Sequence, residues 1–173
     1  MGIKTLGICL VIAGFGMWGL LGARRTDKRV RQLKYLRIAL GFLEKEITYM
    51  QTPLSHAMKR TGIFTDVEVA GLFKECAAQL EKKSGVTGNE AWQSGLKTLK
   101  RESELKPLEL ELLASVGPQL GVSDRIEQQK FFILIQQELK MLEETAAQEA
   151  EAGRKIWSYG GFILGGVIVI LLL

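Results

Sequence analysis

Two cysteines, one histidine and a few close acidic pairs are the side chains that could carry covalent or proton-transfer chemistry in this chain. Cys9 and Cys76 stand far apart, with neither zinc spacing nor a disulfide framework. His56 is the sole histidine, so no paired imidazoles can hold a metal and no base lies near a cysteine in sequence. Cys9 falls in an apolar run behind Ile8, which is not the small residue a lipoprotein cleavage site needs. Cys76 falls among the apolar positions of a predicted helix and reads as a core residue. The pairs Glu44/Glu46 and Glu143/Glu144 sit on predicted helices, where solvated faces account for them. No Gly-rich phosphate loop or nucleophile turn is present. The expectation is a protein that is not an enzyme, with no metal and no cofactor.

Glu46 fits a solvated face poorly. It lies inside an apolar arc, after Phe42 and Leu43 and before Tyr49 and Met50. A buried carboxylate without a partner is costly. A helix start or a basic side chain inside the domain would supply one; alternatively Glu46 lies at the edge of the arc and reaches water.

The element that positions Glu46 covers residues 31–54. Leu33, Leu36, Leu40, Leu43, Ile47, Met50 and Leu54 step by alternating threes and fours, the stripe of an amphipathic helix. Tyr35, Phe42 and Tyr49 repeat every seven residues beside it. The resulting arc, roughly 160° wide, exceeds a coiled-coil seam and suits the central helix of a bundle. Pro53 is tolerated only near a helix start. The expectation is a turn at Thr52, with Thr52 capping a short helix from Pro53 to about Arg60.

Local signals mark the remaining helices. Thr65-Asp66-Val67-Glu68 and Thr87-Gly88-Asn89-Glu90 read as capping boxes. The first opens a helix carrying Val69, Leu72, Phe73, Cys76, Ala77 and Leu80, closed by Lys82-Lys83-Ser84-Gly85. The second opens a helix carrying Trp92, Leu96 and Leu99. Pro107 begins another, with Leu108, Leu112, Leu113 and Val116 expected inside and Gly117-Pro118 and Gly121 ending it. Ser123 or Asp124 caps the last, where Phe132, Ile135, Leu139, Leu142 and Ala146 form a stripe that can pair along the helix of residues 31–54. Gly153 is its expected break.

Two uncharged apolar runs flank this region. Residues 5–23 are long enough to span a bilayer, and residues 156–173 just suffice. A signal peptide fits the first run poorly, because its apolar region is shorter and Leu21 and Ala23 make a weak cleavage site. Arg24, Arg25, Lys28 and Arg29 follow the first run, with Arg31 and Lys34 beyond, while Arg154 and Lys155 precede the second. Basic flanks remain cytoplasmic, so both termini are expected outside and residues 24–155 in the cytoplasm. Arg24, Arg25, Lys28 and Arg29 are expected to form a patch facing acidic lipid, not nucleic acid. Trp157 and Tyr159 suit the interface, and Gly161-x-x-x-Gly165 would admit a close helix neighbour. The expected fold is all-α: a helical bundle of about six helices between two transmembrane helices.

The stretch Glu46-Ile47-Thr48-Tyr49-Met50-Gln51-Thr52-Pro53-Leu54 resembles the stage III sporulation protein AB family. That family's pattern is a span, a basic stretch, a Leu-rich helix ending Glu-Ile-x-Tyr-x-x-Thr-Pro-Leu, a helical domain and a second span. Leu120-Gly121-Val122-Ser123-Asp124 with Gln128 and Gln129 is similar to the family's Leu-Gly-x-Ser-Asp…Gln stretch. The resemblance covers the whole chain. It implies that Glu46, Ile47, Tyr49, Thr52, Pro53 and Leu54 form a structural or partner motif. It also implies a platform component of the secretion-like channel between mother cell and forespore, in the mother-cell membrane around the forespore. The implied partners are other stage III sporulation membrane proteins and a cytoplasmic secretion-type ATPase, with a homo-oligomer allowed. The domain would be similar to the helical domain of the type II secretion inner-membrane platform protein. The residues alone also allow a membrane-tethered helical scaffold, or an acidic-lipid-binding protein, unrelated to secretion.

Overall fold

The computed structural model describes the backbone of residues 2–82, 85–121 and 124–172, and side chains between residues 24 and 155 within those ranges. Six α-helices and one short 3-10 turn account for its regular structure, with no strand among the described residues. The helices are α1 (Gly2–Thr48), α2 (Leu54–Phe64), α3 (Val67–Glu81), α4 (Gly88–Glu102), α5 (Pro107–Ala114) and α6 (Arg125–Leu172). The 3-10 turn covers Gly117–Gln119.

Four short helices therefore lie between two long ones, instead of about six between separate spans. Residues 5–23 continue into α1 and residues 156–172 continue from α6 without a break. Gly153 does not interrupt α6, and its surroundings are open. A helical glycine costs only about 1 kcal/mol relative to alanine, which neighbouring turns can absorb. Among the described residues no helix is long and apolar enough to cross a membrane. The side chains of both expected spans, including Cys9, Trp157, Tyr159, Gly161 and Gly165, lie outside the described residues.

α1 and α6 pack antiparallel. Leu33, Leu36, Leu40 and Leu43 are fully buried, as are Phe132, Leu139 and Ala146 of α6. Polar pairs fix the register beside this apolar seam. Asp27 meets Arg154 at 3.0 Å, Arg29 meets Glu149 at 2.6 Å and Arg37 meets Glu143 at 2.9 Å. Farther along, Gln136 Nε2 donates to Glu44 at 2.7 Å and Gln129 Nε2 to the Tyr49 hydroxyl at 2.8 Å. Partner numbers fall from 154 to 129 as α1 rises from 27 to 49, so residues 24 and 155 leave from one end, the near end. This pairing corrects the solvated reading of Glu44, Glu46 and Glu143. Glu44 and Glu46 are buried, and Glu143 is engaged with Arg37.

The short helices fill the other side of α1. α4 starts at the far end, where a Cβ on Gly88 would press on Leu54 and the Leu120 carbonyl. It ends at the near end, where Lys28 Nζ donates to the Glu102 carbonyl at 3.0 Å. Thr87 and Glu90 form the expected capping box. Asp66, not Thr65, caps α3 by accepting from the Glu68 N–H at 3.0 Å, because α2 continues through Gly62 to Phe64 and uses Thr65 as its own end. Asp124 caps α6, accepting from Ile126 N–H at 2.9 Å; Ser123 lies outside the described residues. Trp92 is buried edge-on to Phe73 and donates to the Leu113 carbonyl at 2.7 Å. Leu108 is 66% exposed, contrary to expectation, because Glu109 and Leu113, four residues apart, set the inner face of α5.

Candidate functional site

The motif after the stripe folds into a corner at the far end. α1 stops at Thr48, earlier than its apolar pattern extends. Gln51 adopts a left-handed backbone, φ 54°, and the Thr52 N–H closes back on the Glu46 carbonyl at 2.9 Å. This bond reaches one residue farther back than the 6→1 bond common at helix ends, and glutamine holds the left-handed position where glycine is usual. Pro53 explains the stop, since the residue before a proline avoids helical conformation.

Glu46 is 2% exposed inside this corner. Its Oε2 accepts from the Thr52 hydroxyl at 2.8 Å and from Arg60 Nη1 at 3.0 Å. Thr52 therefore does not cap α2; Pro53 occupies the cap position without a side-chain hydrogen bond. Ile47 and Leu54 pack partly buried against the core. Tyr49 and Met50 are not buried in the bundle: they are 64% and 65% exposed, with the Tyr49 hydroxyl accepting from Gln129 of α6, because the helix has ended before their turn of the stripe is complete. The motif thus divides into an inward half (Glu46, Ile47, Thr52, Leu54) and an outward half (Tyr49, Met50).

A second cluster stands at the near end and corrects the basic patch. Arg29 is 6% exposed and does not face lipid. Its Nε donates to Glu109 Oε1 at 2.9 Å and its Nη1 to Glu149 Oε2 at 2.6 Å. The other Glu109 oxygen accepts from the Lys106 N–H at 2.7 Å, closing the start of α5. Lys106 Nζ donates to Glu149 at 2.8 Å. Burial pushes the Arg29 guanidinium down, but its hydrogen bonds to Glu109 and Glu149 outweigh that and leave it above its ordinary value. Hydrogen bonds from Lys106 and then Arg29 hold the Glu149 carboxyl below its ordinary value. Lys28 is taken up by the end of α4, while Arg24 and Arg25 remain exposed.

Arg60, Lys106, Glu109 and Glu149 were not legible as partners. Glu109 could have been read as the third residue of a helix opened by Pro107. Arg60 requires the corner itself, which brings α2 back over Glu46.

Neither cluster has the makings of catalysis. Each carboxylate is satisfied by a cation or a hydroxyl. Among the described residues no group of His, Cys, Asp and Glu is placed to hold a metal ion. Burial pushes the Cys76 thiol up to about 12, so it is not a nucleophile at neutral pH. The outward face of α6 exposes Ile126, Ile133, Leu134 and Met141, opposite its buried seam.

Comparison with known proteins agrees with this architecture. Residues 4–173 match the family described as stage III sporulation protein AB. The stage III sporulation protein AB of Bacillus subtilis (strain 168) is 33% identical over 171 residues, 99% of each chain. A solved structure of a stage III sporulation protein AB superposes with a TM-score of 0.67 at 37% identity, covering 72% of this chain and 97% of that one.

Proposed function

The chain belongs to the stage III sporulation protein AB family, and on that premise we propose that it is a membrane-embedded platform subunit of the secretion-like channel joining mother cell and forespore. The observation that carries the reading is the antiparallel pair of α1 and α6. Its register brings residues 24 and 155 out at one end, each joined to an apolar run of spanning length. The basic flanks of both runs favour a cytoplasmic domain with both termini outside. The membrane is that of the mother cell around the forespore.

The two exposed surfaces have different partners in this reading. Neighbouring membrane subunits lie along Ile126, Ile133, Leu134 and Met141, because a partner beside α6 follows it into the same bilayer. The cytoplasmic ATPase docks at the far end, on Tyr49 and Met50, away from the lipid.

Co-purification from sporulating cells tests both surfaces. Tyr49→Ala with Met50→Glu is expected to lose the ATPase and keep the membrane subunits. Ile133→Glu with Met141→Glu is expected to do the reverse. All four side chains are exposed, so the helical circular dichroism should not change. Full recovery of both partners by both variants would overturn the reading.

A further inference from the structure

We infer that the last turns of α4 form a second membrane contact, an anionic-lipid site that seats the domain against the bilayer beside its anchors. The inference rests on the reading that residues 5–23 and 156–173 cross the membrane.

Four contacts fix the corner between α4 and α5, three against the near end of α1 and one against α6. Lys28 Nζ donates to the Glu102 carbonyl at 3.0 Å, and the Glu104 N–H donates to Gln32 Oε1 at 2.9 Å. Arg29 grips Glu109 and Lys106 grips Glu149. Lys28 lies five residues beyond Ala23, so at 1.5 Å per residue this corner stands about 7.5 Å from the end of the apolar run. The headgroup layer is itself about 5–8 Å deep. The corner therefore stands at the headgroup surface, within about one Debye length at physiological salt.

The side chains offered there suit acidic lipid. Lys97, Lys100 and Arg101 are exposed and none is held in an ion pair among those of the described residues. With Ser94, Thr98 and Glu75 they line one shallow, open groove. Glu75 accepts from Gln79 and Ser94, at 2.7 Å and 3.2 Å, and its one negative charge offsets only part of the three cations, so the groove stays net positive. Exposed Leu108 projects from the same corner and can enter the interface. Arg24 and Arg25 extend the cationic surface along α1. Anionic lipid surfaces attract such clusters within a Debye length. An acidic protein segment shares the charge, but the corner's height above the anchors favours the bilayer.

The full chain in nanodiscs tests this, with Cys9→Ala and Glu104→Cys carrying a fluorophore at the corner. The readout is quenching by a nitroxide on the lipid headgroup. In a mixed bilayer, quenching is expected to be stronger when the nitroxide is on phosphatidylglycerol than when it is on phosphatidylcholine, and this excess is expected to vanish in high salt or in Lys97→Gln/Lys100→Gln/Arg101→Gln. Equal quenching of the parent and the triple variant in acidic lipid would overturn the site. If the triple variant then also lost sporulation, the cluster would belong to an acidic protein partner instead. A chain that failed to enter the nanodisc would overturn the spans, and the site with them.

Discussion

At the scale of single residues, the Glu46 carboxylate and the cation that holds it differ in exposure. Glu46 is almost wholly buried, whereas the Arg60 side chain is 56% exposed. Removing the arginine leaves a buried charge with one hydroxyl; removing the glutamate leaves an arginine already in water. Arg60→Ala is therefore expected to destabilise by about 2–3 kcal/mol and Glu46→Gln by about 1–2 kcal/mol, read from denaturant midpoints. The opposite order would show that Arg60 contributes little. Glu149 gives a pH signature. Its folded carboxyl titrates below the ordinary 4.5, so its contribution is present above 4.5 and lost as pH falls through the folded value. The acid limb of stability against pH should flatten in Glu149→Gln, and an unchanged limb would remove Glu149 from the network. Local chemistry made the Thr87–Glu90 box and the Asp124 cap readable in sequence. The burial of Arg29 was not readable: cations beside an apolar run resemble a headgroup site, and Glu109 and Glu149 are distant along the chain.

At the scale of elements, the close approaches of the helices differ in what they tolerate. A Cβ on Gly95 of α4 would collide with the Leu72 carbonyl oxygen, which is backbone and cannot move aside. A Cβ on Gly41 of α1 would meet the end of the Gln136 side chain at 2.9 Å, which can turn away. Gly95→Ala is thus expected to cost about 1–3 kcal/mol as overpacking between α3 and α4. Gly41→Ala should be within about 1 kcal/mol of neutral, since helix propensity offsets the displaced amide. Denaturation of the two variants side by side checks this, and equal losses would contradict the geometry. The apolar stripe marked the core of α1 down to Leu43, because burial follows helical period there. It overran at Met50, because a left-handed residue and a proline end the helix regardless of hydrophobicity.

At the scale of the whole molecule, the account depends on one hairpin. α1 and α6 leave the bundle at the same end, which the proposed function takes as the membrane face. In that reading, the helices from α2 to α5 supply a far end for the proposed cytoplasmic partner and a near corner for the proposed lipid contact. The helical bundle was legible from periodicity and caps, whereas the antiparallel register was set by polar pairs between residues 80 to 127 positions apart, such as Arg37 with Glu143. The most direct test is topology in a bacterial inner membrane, by labelling single cysteines with a membrane-impermeant maleimide. Positions 2, 104 and 173 would be compared in a Cys9→Ala/Cys76→Ala background. The account predicts labelling at 2 and 173 in spheroplasts, and at 104 only after lysis. Labelling at 104 in intact spheroplasts, or opposite behaviour of the two termini, would contradict it.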